Sequence, residues 1–220
     1  MKLLQRSGLL LLLLISQATW AQVSVRLAEP SISKPGAKGN GTVSFNTSQI
    51  LMDNHTVNRQ YLAPEGGLEV KNANATGTTG LIQVFPWTST VRLKEAGFLV
   101  GFGQTNYRSG QDFRLLLYEL HGTTDLKVVR TVASFPVTIP PEAVQKGKYL
   151  SFLFKESLPL EKGKQYALHL YPTQAKDQAI IFQLAETAYL GFSSLAVSQP
   201  LTLISNANRR PDLNIFLVAE

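Results

Sequence analysis

The chain has no cysteine. That excludes disulfide bridges, thiolate zinc sites, a cysteine nucleophile and a lipid-modified cysteine anchor, so the fold must rest on its apolar core. Histidine is almost as scarce. His55, His121 and His169 are the only three, and none stands in HExxH or another paired-ligand spacing. A catalytic zinc site has no support in that pattern. Charged residues make up only 16% of the chain and form no run. Arg209-Arg210 is the one adjacent basic pair after residue 21, and Lys and Arg do not interleave with aromatics as a nucleic-acid groove requires. No nucleic-acid partner is expected.

Catalytic spacings are missing too. The acids are scattered singly, with no Glu-x-Asp-x-Glu strand to hold two carboxylates about 5 to 9.5 Å apart for glycoside hydrolysis. Gly191-Phe192-Ser193-Ser194-Leu195 lacks the second glycine of a nucleophile elbow. Gly101-Phe102-Gly103 lies in a strand-like run, not before the helix that a phosphate loop needs. Asp112, Asp125 and Asp212 stand near turns or strand ends, where turn capping accounts for them. No dense Asp/Asn loop supports a structural calcium, and no cofactor is expected. A hydrolase assembled from carboxylates distant in sequence is the remaining enzymatic alternative.

Long apolar runs are confined to the first residues. Lys2 and Arg6 precede the unbroken run Leu9–Ile15, and Gln17-Ala18-Thr19-Trp20-Ala21 ends in the small residues a signal peptidase reads. This is the grammar of a secretory leader with cleavage after Ala21. The run is shorter than the roughly 20 residues that span a bilayer, so no membrane span is expected after cleavage. The formal charge of +6 falls to +4 once Lys2 and Arg6 are gone, a mild excess that favours at most loose contact with acidic wall polymers. An exported, disulfide-free protein suits a bacterial periplasm or exterior. The sequons at Asn40, Asn46, Asn54 and Asn74 then read as polar loop chemistry.

Beyond the leader (1–21), the pattern divides at about Gly80. Residues 22–80 are rich in Gly, Asn, Ser, Thr and Pro and read as a loop-rich segment contributing strands, Val23–Leu27 and Gly41–Phe45 among them, with a flexible linker as the alternative. Residues 81–220 carry short apolar runs between turn residues: Leu81–Phe85, Gly97–Gln104, Phe113–Leu120, Val128–Ile139, Tyr149–Lys155, Gln165–Tyr171, Ala179–Ala185 and Leu213–Val218. Several alternate with period two, as half-buried strands do. Leu150, Phe152 and Phe154 share one face, and so do Tyr166, Leu168 and Leu170. On Phe113–Leu120 both faces are apolar, which predicts a strand covered on both sides. Pro140–Gln145 suits one short helical turn with proline at its start. The reading is all-β: an antiparallel two-sheet sandwich, jelly roll as the leading topology, with minimal helix.

The stretch from Gln83 to Val218 resembles secreted bacterial β-sandwich modules, the jelly-roll, carbohydrate-binding-module-like domains of surface proteins. The likeness runs through Gln83-Val84-Phe85, Gly97–Phe102, Ser109-Gly110 leading into Phe113–Glu119, Tyr149–Phe152, Leu160–Leu168 and the closing Asp212–Leu217. It implies a non-catalytic binding module for glycans or cell-envelope ligands, with polysaccharide or an envelope protein as partner. A structural or adhesive surface protein is the alternative. Because the sequence stops at Ala219-Glu220, a product without a C-terminal anchor is expected.

Sugar binding asks for flat rings beside amides or carboxylates. Tyr107 and Arg108 stand in the polar loop from Gln104 to Asp112, and Trp87 follows the strand end Phe85-Pro86. The expected ligand-contact set is Trp87, Gln104, Asn106, Tyr107, Arg108 and Asp112, sharing one end of the sandwich. Cross-strand packing is the competing account of both rings.

Overall fold

A computed structural model describes residues 23–28, 50–53, 67–73, 77–101, 106–122, 125–184, 192–196, 203–204 and 213–220. In chain order the strands are β1 (Val23–Ala28), β2 (Ile50–Asp53), β3 (Gly67–Ala73), β4 (Gly77–Pro86), β5 (Leu93–Leu99), β6 (Gln111–His121) and β7 (Leu126–Ile139). They continue with β8 (Tyr149–Leu158), β9 (Gln165–Pro172), β10 (Lys176–Gln183), β11 (Phe192–Ala196), β12 (Leu203–Ile204) and β13 (Ile215–Ala219). A single 3-10 turn, Pro141–Ala143, interrupts the described residues with proline at its start. All strand pairs are antiparallel, in two sheets. One runs β1-β8-β5-β13-β2 and the other β10-β3-β4-β9-β6-β7-β12, with β11 paired to β4.

The period-two alternation places each apolar set on one face, and the two inner faces meet as the core. Phe113, Leu115 and Leu117 of β6 and Tyr166, Leu168 and Leu170 of β9 come from the larger sheet. Leu150, Phe152 and Phe154 of β8 come from the smaller one, with Ala96 and Phe98 of β5. Rings cross the gap: Phe135 meets Phe154 at 5.3 Å, and Phe98 meets Phe182 at 5.9 Å. Each such side chain contributes about 1.5–3 kcal/mol by leaving water. With no disulfides, this burial is the main driving force.

The strands depart from the sequence pattern in two places. The break read at Gly80 lies inside β4, although β1, β2 and β3 do join the two sheets, in keeping with strands contributed by residues 22–80. The run read as starting at Gly97 begins earlier, at Leu93, because Arg26 and Ser151 give the carboxylate of Glu95 partners inside the strand. The expected strand Gly41–Phe45 lies outside the described residues. The outer faces are not bare. On the larger sheet Ile82, Val84, Leu116, Tyr118 and Ala167 are buried together. On the smaller one Leu99, Tyr149 and Phe216 are.

One long side of the sandwich is closed by hydrogen bonds between the sheets. Val100 bridges Phe182, and Leu184 bridges Leu213. Buried Asn214 joins both sheets: its N–H donates to Gln183 O at 2.9 Å, and its carbonyl accepts from Leu99 N at 2.9 Å. The inward amide of Gln83 accepts from Leu213 N at 2.8 Å. On β7 the ladder with β6 is broken by register shifts opposite Leu117/Tyr118 and Glu119/Leu120, which bulge the edge and leave Val129 exposed.

Candidate functional site

The loop entering β6 is held by neutral amides. Gln178, nearly buried on β10, accepts at Oε1 from the backbone N–H groups of Arg108 and Ser109 and from the Ser109 hydroxyl, each at 3.3 Å. Its Nε2 donates to Ser109 O at 2.9 Å and to Gln111 Oε1 at 3.2 Å. Gln111 donates in turn to Gln174 O at 2.7 Å. Lys176 Nζ donates to Gly110 O. Asn106 accepts from Ala179 N at 2.9 Å and gives its amide to Asp177 O at 3.2 Å. The loop is thus sewn to β10 along its length, and a buried amide frame of this kind favours one loop geometry.

Within this frame the expected contact residues part company. Asn106 and Arg108 are exposed. The Arg108 guanidinium meets no hydrogen-bonding or ion-pair partner among the described residues, although its backbone is pinned. Asp112 is half-buried and both its oxygens are engaged: Oδ1 accepts from Thr138 Oγ1 at 2.7 Å, and Oδ2 from Gln174 Nε2 at 2.6 Å. Tyr107 is not an exposed ring. It packs on the core beside Phe113 at 6.5 Å, and its hydroxyl donates to Ile139 O at 2.7 Å. Burial raises its phenol well above the ordinary range, opposed by a backbone hydrogen bond and reinforced by the nearby Asp112 charge. Gln104 lies outside the described residues.

Trp87 is a correction on two counts. It is 1% exposed, a core ring set edge-on to Phe85 at 6.5 Å. It is also at the other end. Its N–H donates to Lys164 O and its carbonyl accepts from Gly163 N, both at 2.8 Å. In the β6–β9 ladder Phe113 pairs with Pro172 and Leu120 with Gln165. The two ends are therefore about seven residue steps, or ~23 Å, apart. An aromatic just beyond a strand reads as exposed. Here the β8–β9 turn holds its backbone and the indole plugs the sandwich.

That second rim is built from charge. Glu119 Oε1 accepts from Lys164 Nζ at 2.7 Å and Oε2 from Arg130 Nε at 2.8 Å, while Glu161 adds a second anion 2.8 Å from Lys164. The Lys164 hydrogen bond, with Arg130 behind it, holds the Glu119 carboxyl below its ordinary range against the cost of burial. The same contacts raise Lys164 and Arg130.

Another buried carboxylate lies on the outer face of the smaller sheet. Glu95, 2% exposed, is gripped by Arg26 of β1 through Nε at 3.0 Å and Nη2 at 2.7–2.8 Å, and accepts from the buried Ser151 hydroxyl. Glu95 and Glu119 are each neutralised by cations.

His169 is a buried titratable group as well. It is 1% exposed on the outer face of the larger sheet, with Tyr171 at 5.1 Å and Tyr118 at 6.1 Å, and burial lowers its pKa to about 4. Gly80 makes the room, since a Cβ there would stand 2.7 Å from His169 Nε2.

Sequence reasoning missed Gln178, Gln111, Glu95 and Glu119. Glu95 and Glu119 carried a signal: each is a lone acid inside an apolar strand. Gln178 carried none, because its partners lie about 70 residues away. Among the described residues no three His, Asp or Glu side chains converge to hold a metal, and no helix is long and apolar enough to cross a membrane. Comparison with protein-family models, curated proteins and solved structures gives no match.

Proposed function

We propose that the chain is an exported bacterial binding module, non-catalytic, that takes glycans or other cell-envelope ligands at the rim formed by residues 106–112. The observation that carries this reading is the exposed guanidinium of Arg108, unpaired among the described residues, on a loop whose backbone is fixed by Gln178. A guanidinium fork presented on a rigid backbone binds oxygen-rich ligands with little ordering cost. Exposed Asn106, Ser109 and Gln174 supply further hydrogen-bonding groups around it. With Trp87 and Tyr107 committed to packing, the site reads ligands by hydrogen bonds and charge rather than by ring stacking. The leader grammar of residues 1–21 supports export to the periplasm or exterior.

A glycan array probed with the mature protein and with Arg108→Ala tests the site. Capture of at least one glycan class that the variant loses supports it; silence on every glycan, with an envelope protein retained in pull-down, favours the adhesive alternative. That second reading has its own observation: the bulged outer edge of β7 carries Val129, 55% exposed. Export is tested separately by N-terminal sequencing of the protein expressed with its own leader, which is expected to begin at Gln22.

A further inference from the structure

We infer that β1 is an exchangeable strand, and that the edge of β8 accepts β1 from a second copy of this chain. The inference is independent of what the rim binds. Among the described residues β1 is the outermost strand of its sheet and pairs only with β8, from Val23 opposite Phe154 to Ala28 opposite Tyr149. Its inward residues Val23 and Val25 are only partly buried where they meet the core. Six residues on one edge form a small apolar contact, yet one of them does something no other described strand supplies. Arg26 reaches across β8 and provides the cation for buried Glu95.

That geometry gives the β8 edge a specific appetite. With β1 withdrawn, Glu95 keeps the Ser151 hydroxyl but loses the bidentate guanidinium, its strongest charge-assisted partner. The vacancy therefore selects an extended strand with apolar residues at alternate positions and a guanidinium at the place of Arg26. The strand that meets this description without any new design is β1 of another copy. An exchanged strand makes the same contacts as the resident one, so only the connector and the concentration decide between them.

The connector permits both outcomes. β1 and β2 occupy opposite edges of the same sheet, four strand spacings or ~19 Å apart. Residues 29–49 between them could reach about 70 Å fully extended. They contain Pro30, Pro35-Gly36, Gly39 and Gly41. A covalent connection of 21 residues sets the resident strand's effective concentration on the order of millimolar. Exchange is then expected on refolding at high protein concentration and slow reversal on dilution.

The absence of cysteine makes the test clean. Ser24 stands directly opposite Leu153, so the full chain is prepared as Ser24→Cys, as Leu153→Cys and as the double variant. The two single variants are unfolded, mixed, refolded at about 1 mM, the tether's own effective concentration, and oxidised. The expected result is a covalent heterodimer that grows with refolding concentration and falls severalfold when the Ser24→Cys chain also carries Arg26→Ala. Closure of the double variant within one chain, with no heterodimer in the mixture, overturns the inference. So does a wild-type protein that sediments as a monomer after refolding across the same concentrations, a result that depends on neither cysteine.

Discussion

At one rim of the sandwich the loop before β6 is held by Gln178 and Gln111. At the other the turn before β9 is held by Glu119, Lys164 and Arg130. Both anchors sit at the end of a sheet and both fasten a connection that would otherwise be loose. The difference follows from solvent. Gln178 and Gln111 are buried with all their partners close by, and neutral amides meet that requirement without the cost of desolvating ions. Lys164 and Arg130 stay partly in water, so their charges cost little, and only Glu119 is enclosed. The neutral rim presents an Arg108 that is unpaired among the described residues. The charged rim spends its cations on its own acids. A rim fastened by amides leaves a cation unengaged among the described residues, and one fastened by charge does not.

The largest perturbation belongs to the charged rim. Trp87→Ala is expected to cost about 3–5 kcal/mol in chemical denaturation, as loss of a core ring does. Trp87→Phe is expected to cost no more than about 1 kcal/mol, because the buried indole Nε1 has no hydrogen-bond partner among the described residues. A mild Trp87→Ala would show that the ring is not a plug.

Acid sharpens the comparison, since the amide frame has nothing to titrate. His169, on the sheet between the rims, has its pKa lowered from 6.5 to about 4. Between those values the unfolded chain binds the extra proton, so this contribution is whole above pH 6.5, is lost as pH falls to about 4, and is flat below. The loss is about 3 kcal/mol at ~1.4 kcal/mol per pH unit. His169→Gln is expected to flatten that slope in denaturation series across the range. Glu119, lowered from 4.5, adds its own loss only in stronger acid, as pH falls through its folded value.

Gln178→Ala orphans two backbone N–H groups and a hydroxyl at the neutral rim, and is expected to cost about 2 kcal/mol. Glu119→Gln is expected to cost about 1 kcal/mol, less at high salt, because its partners remain solvated. Melting both variants at low and at molar salt separates the two rims: the Glu119→Gln penalty shrinks and the Gln178→Ala penalty holds. Equal salt dependence would dissolve the distinction.

Much of the sandwich was legible because alternation is local. Leu150, Phe152 and Phe154, or Tyr166, Leu168 and Leu170, announce a buried face within five residues of chain, and they lie in the core. The doubly apolar pattern of β6 likewise corresponds to burial on both faces. Pairing order was not legible, because nothing in β1 alone says that it lies beside β8 rather than β2. The site was half legible. Asn106 and Arg108 read as exposed and are. Tyr107 read as exposed from its polar loop and Trp87 read either way from its place just beyond a strand, whereas their positions follow contacts made by residues far along the chain, Ile139 and Lys164. The amide frame is the least visible of all, since a glutamine on a strand looks like any solvated residue.

The two rims can be set against each other directly by measuring capture on a glycan array for the wild type, Arg108→Ala and Lys164→Ala, with melting temperatures recorded in parallel. The account predicts that Arg108→Ala lowers capture at least tenfold while melting stays within a degree or two. It predicts that Lys164→Ala, at the far rim, leaves capture unchanged. Loss of capture in Lys164→Ala with full retention in Arg108→Ala would contradict it.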